Sequence, residues 1–172
     1  RVGRGAVLQE VRPEESDEVL RWVYETAQQA PFRIRTTEAP HYRRVALQQA
    51  TALRRGGSPT PEAPDFRQGF GVWDGNGVMF VSHSGDVYPS GFLPLACGNV
   101  RRDDPVEVYR QGSLFSSLRD PDHLKGKCGL CEYRRVCAGS RARAYATTGD
   151  PLESDPLCPY QPMGRTLSPN GV

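Results

Sequence analysis

Long apolar runs are missing from this sequence. No stretch approaches the ~20 residues that a membrane-spanning helix needs, and only 37% of the residues are hydrophobic. Runs of lysine or arginine are missing too. The 22 basic side chains nearly balance 20 acidic ones, so no global field points to nucleic acid. There is no internal repeat, low-complexity tract or signal-peptide pattern. The expectation is a cytoplasmic protein with neither a membrane nor nucleic acid as partner. Cysteine is scarce, at five in 172 residues, and the odd number argues against a disulfide framework. Glycine and proline are plentiful, at 18 and 15, which favours a loop-rich fold over a compact helical one.

The length suits one ordinary domain or two small ones. The opening residues, RVGRGAVLQEV, begin without Met and read as mid-protein sequence. A C-terminal portion of a longer polypeptide is therefore expected, with a processed chain as the plainer alternative.

Residues 1–55 read as alternating strand and helix. Ala6-Val7-Leu8 is a short apolar run. Pro13 opens a helix with Glu14, Glu15 and Asp17 in its first turn, where the helix dipole favours acids. Leu20 with Tyr24 and Val23 with Ala27 make its apolar stripe. Phe32-Arg33-Ile34-Arg35 alternates like a strand, and Pro40 starts a second helix carrying Val45, Leu47, Ala50 and Leu53. Such a βαβα rhythm suggests part of a barrel or of a doubly wound sheet. Residues 56–69 form a Gly/Pro-rich linker or loop. Val78 to Val81, a turn at Ser84-Gly85-Asp86 and a return from Val87 predict a hairpin. Beyond Pro94 strands fade, and Val106–Tyr109 and Leu114–Leu118 suit short helices. Residues 120–132 are expected to be irregular, and Ser140 to Thr148 suits a helix ended by Gly149.

Four cysteines fall in one region: Cys128-x2-Cys131-x5-Cys137, then Cys158 after twenty intervening residues. A redox CxxC pair normally follows a strand, and His123 to Lys127 carries no strand signal. Four thiolates suit tetrahedral zinc or an iron–sulfur cluster. Zinc sites usually pair two short knuckles and only one is present, so the uneven spacing is less awkward for a cluster. Gly126, Gly129, Ala138 and Gly139 flank the motif and allow backbone N–H groups close to sulfur. Lys125, Lys127, Arg134, Arg135, Arg141 and Arg143 surround it, and basic neighbours offset thiolate charge. For Arg143 alone, a solvated helix face is the simpler reading. Cys97 stands apart and reads as a buried free thiol.

The stretches GVWDGNGVMFVSHSGDVYPSGFLPLACGNVR, LKGKCGLCEYRRVCAGSRARAYATTGD and DPLCPYQP occur in that order. Together they resemble the C-terminal SPASM-type region of radical SAM proteins, particularly the branch close to haem-biosynthesis enzymes, over residues 70–162. Residues 1–55 resemble, less specifically, the last strands and helices of the radical SAM barrel. The fold class implied is α/β plus irregular α+β: terminal strands and helices of a partial (β/α) barrel, then a cluster-binding region with a β-hairpin and short helices. The implied domains are residues 1–64, barrel end with linker; 65–162, auxiliary iron–sulfur domain; and 163–172, a flexible tail.

The resemblance implies that Cys128, Cys131, Cys137 and Cys158 ligate an auxiliary [4Fe–4S] cluster. It also implies that S-adenosylmethionine and a second [4Fe–4S] cluster belong to the full-length protein. The CxxxCxxC motif for that second cluster is absent from the sequence, so this chain alone is expected to be inactive. The implied partners are a tetrapyrrole or peptide substrate and an electron donor such as ferredoxin or flavodoxin. Thr36, Thr37, Glu38, His41 and Tyr42 follow the expected barrel strand, where barrel enzymes carry active groups. His41 and Glu38 are thus candidate catalytic residues, a surface histidine at a helix start being the plainer reading of His41. The rival functions are a non-catalytic zinc scaffold with the same four ligands and a ferredoxin-like electron carrier.

Overall fold

The structure is a computed structural model that describes residues 11–56 and 73–163. The run Ala6–Leu8, nearly all of the Gly/Pro-rich segment, the boundary expected at 64/65 and all of the tail after Met163 lie outside the described residues.

Helix α1 spans Pro13–Gln29. Proline suits its first position, where an N–H would have no helical partner. The Glu15 carboxylate accepts the Arg12 backbone N–H at 3.0 Å, satisfying one group just outside the helix. Helix α2 spans His41–Arg55 and ends on Arg54 and Arg55, which complement the C-terminal end of its dipole. The two pack as a hairpin, with Leu20 and Tyr24 of α1 against Tyr42, Val45 and Ala46 of α2. Asp17 and Arg44, both buried, pair across the contact.

Phe32–Arg35 does not form the expected strand: it belongs to an irregular connection between α1 and α2. An alternating segment becomes a strand only where a neighbour takes up its backbone groups, and no strand pairs with it among the described residues. Phe32 is exposed. The βαβα rhythm is accordingly absent from residues 11–56, where the two helices bury their stripes against each other.

The hairpin predicted from Val78 is present but shorter. Strands β1 (Phe80–Val81), β2 (Asp86–Tyr88) and β3 (Gly98–Asn99) form an antiparallel sheet in the order β1-β2-β3. Phe80 faces Tyr88, and Asp86 faces Asn99. β3 was unexpected, because Gly and Asn have poor strand propensity. Its place is secured by polar contacts: the Asn99 side-chain amide donates to Asp86 Oδ1 at 2.8 Å, and the Asn99 backbone N–H donates to Asp103 Oδ2 at 2.7 Å. Helices α3 (Pro105–Gln111) and α4 (Ser113–Arg119) follow as predicted, with Phe115 and Leu118 of α4 buried. Residues 120–132 are more regular than expected. They hold a 3-10 turn at Pro121–His123 and a one-turn helix, α5, at Gly126–Leu130. Helix α6, Arg141–Thr148, starts at the Ser140 cap and stops at Gly149, whose φ of 78° is left-handed. In fold class the described part is mixed α/β with a small antiparallel sheet.

Candidate metal centre

Cys128 sits inside α5 and Cys131 immediately after it. The chain then makes a tight turn, with the Cys137 N–H donating to Tyr133 O at 2.8 Å. Ala138 and Gly139 follow with φ of 57° and 64°, reversing the chain into α6. Cys158 arrives from the far side of α6, its N–H 3.3 Å from Asp155 O. All four thiols are free. They line one small cavity together with His41, Arg44, Lys127, Arg134 and Tyr160. The thiols face this common space without closing on a point: among the described residues, no three or more His, Cys, Asp or Glu side chains form a set that could hold a metal ion.

The environment is hard on bare thiolates. Burial pushes Cys137 up to about 12, and the nearby Cys158 and Cys128 add to the shift against the backbone N–H of Gly139. Burial also raises Cys131, opposed by the N–H of Tyr133, and raises Cys158, opposed by Arg44 and the N–H of Tyr160. Without a bound cation these three thiols therefore stay protonated near neutrality; a metal core would supply the charge that makes them ligands.

Around the thiols lie positive groups in need of an anion. Arg141 is fully buried, and its hydrogen-bond partners among the described residues are backbone carbonyls and a sulfur, with the Asp150 charge acting from farther off. It donates to Pro151 O at 3.0 Å and Glu153 O at 2.7 Å and lies 3.5 Å from Cys128 Sγ. A buried cation with no carboxylate bonded to it is costly, and a thiolate at Cys128 would offset it. The Asp155 N–H approaches the same sulfur at 3.4 Å. Two further side-chain nitrogens, His41 Nδ1 and Arg44 Nε, are buried with no hydrogen-bond partner among the described residues. Both residues line the cysteine cavity. The donor set thus fits a soft-ligand metal core: four thiols, a buried arginine and polar nitrogens lacking partners.

A polar network joins this region to the N-terminal helices. His41 is 1% exposed and its Nε2 lies 2.8 Å from Asp155 Oδ2, itself fully buried. The same carboxylate accepts from the Ser140 N–H at 2.6 Å and from Arg143 at 2.9 and 3.1 Å. Burial alone would raise Asp155, but the bonds from His41 and Arg143 and their charges hold it well below the usual carboxylate range. Arg143 also donates to Glu38 O at 2.6 Å, and Ser140 Oγ donates to Glu38 Oε2 at 2.7 Å. Arg43 donates to Val136 O at 2.8 Å. The surface reading of His41 and the solvated reading of Arg143 are both overturned, because each spans from one segment to the other.

A larger cavity of about 310 Å³ shares Gly139 with the cysteine cavity. It is lined by Arg35, Thr36, Thr37, Glu38 and Tyr42, and also by Arg43, Trp73, Ser90, Gly139 and Ser140. The polar loop read from the sequence does gather at one cavity, except for His41, which turns to the cysteines. Burial pushes the Glu38 carboxyl up, with Ser140 partly offsetting it. Cys97 lies apart, half-buried beside β2, with Sγ donating to Leu95 O at 3.5 Å. Ser90 is buried and hydrogen-bonded to Asp74. Sequence reasoning missed Asp17, Arg44 and Asp155. Only the i, i+3 spacing of His41 and Arg44, one face of a helix, offered a signal.

No family model matches the chain. It is 43% identical to the AdoMet-dependent heme synthase of Methanosarcina barkeri over 161 residues, 93% of this chain and 46% of that protein. The pre-heme d1 synthase of Dinoroseobacter shibae is 33% identical over 58% of the chain and 27% of its own length. The PqqA peptide cyclase of Rhizobium meliloti is 28% identical over 54% of the chain and 24% of its own length. The chain spans about half the length of the heme synthase it matches.

Proposed function

This chain is a relative of radical SAM/SPASM-type proteins of the AdoMet-dependent heme synthase kind, and from that premise we propose that it forms the auxiliary-cluster part of such an enzyme. In this reading residues 1–64 complete the barrel end, residues 65–162 form the SPASM-type domain and residues 163–172 form a tail. Cys128, Cys131, Cys137 and Cys158 hold an auxiliary [4Fe–4S] cluster. S-adenosylmethionine and the radical-generating cluster are held by parts of the protein beyond the 172 residues. When bound, the auxiliary cluster supplies single-electron exchange. The chain's own residues position it: Arg141 and the Asp155 N–H face Cys128, while Arg44 and Lys127 oppose the charge at Cys158.

The observation that carries the reading is the shared cavity of the four thiols. The larger cavity, which shares Gly139 with it, suits the substrate. Its Arg35 and Arg43 favour a carboxylate-bearing ligand, and the heme synthase relatives favour a tetrapyrrole over a peptide. Glu38, held at the wall of that cavity, is the candidate substrate contact. His41 supports the cluster side instead, through Asp155.

Anaerobic reconstitution of the chain with iron and sulfide tests the reading. A brown protein with about four irons is expected. Cys131→Ser and Cys158→Ser should each lose the bound iron, whereas Cys97→Ser should keep it. A colourless protein carrying one zinc would establish the scaffold reading instead.

A further inference from the structure

Arg44 is 2% exposed, in the second turn of α2 and far from the cysteine motif in sequence. Both of its terminal nitrogens are engaged. Nη1 and Nη2 both donate to the Asp17 carboxylate, and Nη1 also donates to Gln48 Oε1 at 2.8 Å. The guanidinium is therefore fixed on one side by α1 and by its own helix. Its third donor, Nε–H, is buried with no acceptor among the described residues. A guanidinium stays protonated at every physiological pH, so this N–H is always a donor. Leaving such a group without a partner is unfavourable. Arg44 lines the cavity of the four thiols, and its charge acts on both Cys137 and Cys158. One turn earlier on the same face, His41 lines the same cavity, and its Nδ1 is buried with no partner among the described residues.

We propose that Arg44 donates its Nε–H to a sulfur of the metal core held by the four cysteines, so that helix α2 sets how readily that core accepts an electron. The proposal rests on the cluster reading above. Reduction places further negative charge on the sulfurs, and a fixed N–H donor stabilises the reduced form more than the oxidised one. Asp17 acts as a positioning residue, holding the guanidinium plane so that Nε–H is presented. The helical hairpin is then part of the electron-transfer unit and more than a neighbour of it.

The test is Arg44→Lys in the full chain, which keeps the positive charge beside Asp17 but removes the Nε–H. After anaerobic loading, iron content and reduction potential are measured for natural and variant chains. The expected result is unchanged iron and a one-electron reduction constant lowered about tenfold, a shift of about 59 mV to more negative potential. Unchanged iron with an unchanged potential overturns this inference and leaves the cluster reading standing. A natural chain that binds no iron overturns both. Should the variant not fold, the crystal structure of the iron-loaded natural chain decides. Arg44 Nε within hydrogen-bonding reach of a core sulfur supports the proposal, and Nε turned elsewhere refutes it.

Discussion

Gly139 shows how much one residue without a side chain can control. Its φ of 64° lies in the left-handed region, and a Cβ placed there would come 2.9 Å from Asp155 Cβ and 3.2 Å from Cys128 Sγ. Neither neighbour is free to retreat, since the Asp155 carboxylate is bonded to His41, Ser140, Arg143 and Leu157 and Cys128 is held in α5. Gly139→Ala is expected to cost about 2 kcal/mol or more through combined strain and overlap, and to reduce iron loading. Denaturant midpoints and iron counts check both effects. Asp155 gives a second prediction. Its folded carboxyl titrates far below the unfolded value of about 3.9. A depressed carboxylate contributes stability that is complete above the unfolded pKa and is lost as pH falls from there toward the folded pKa. Asp155→Asn should therefore destabilise by about 3 kcal/mol or more at pH 7, where His41 and Arg143 lose their anion. The gap between natural and variant chains should narrow below about pH 4, as read from urea midpoints across the range. A constant gap would mean that the network is not ionic.

At the scale of elements, the helical hairpin and the cysteine segment depend on each other through few, specific links. α1 and α2 share an apolar seam, but the pair Asp17–Arg44 is a charged contact inside it. Removing one member of a buried pair leaves the other uncompensated. Asp17→Ala is expected to destabilise by about 3–5 kcal/mol, measurable as a fall in thermal midpoint. Helices α1, α2, α3, α4 and α6 were legible from local signals that differ between them: a proline at the start of α1 and α3, buried apolar positions in α1, α2 and α4, and a glycine at the end of α2, α3 and α6. α6 is the clearest case, since Ser140 accepts the Arg143 N–H and Gly149 terminates the helix. Phe32–Arg35 and β3 were misread for opposite reasons. The first has strand-like alternation with no strand beside it among the described residues; the second has poor propensity but is held by Asp86 and Asp103.

In the whole molecule, apolar packing and thiol chemistry are segregated. The hairpin has its own hydrophobic seam, whereas the loops bearing the proposed ligands are anchored by hydrogen bonds, buried arginines and short turns. Metal binding to such loops is coupled to their folding. Stripping iron from the loaded chain should therefore speed amide hydrogen exchange across residues 126–140 and 153–160. Protection should persist in the middle of α1 and α2. Uniform loss of protection would mean that the hairpin has no stability apart from the metal centre.

Local chemistry was enough to identify the four thiols as a group, the cap and stop of α6, and the kinship carried by the ordered motifs, because spacing and residue type are read along the chain. What only the tertiary structure decided is which groups meet across it. His41 reaches Asp155 over 114 positions, and Arg143 reaches back to Glu38 over 105. Arg44 lines the cysteine cavity, and its Nε–H has no acceptor among the described residues. Such pairings are settled by burial, which leaves each charged or polar group few places to find a partner.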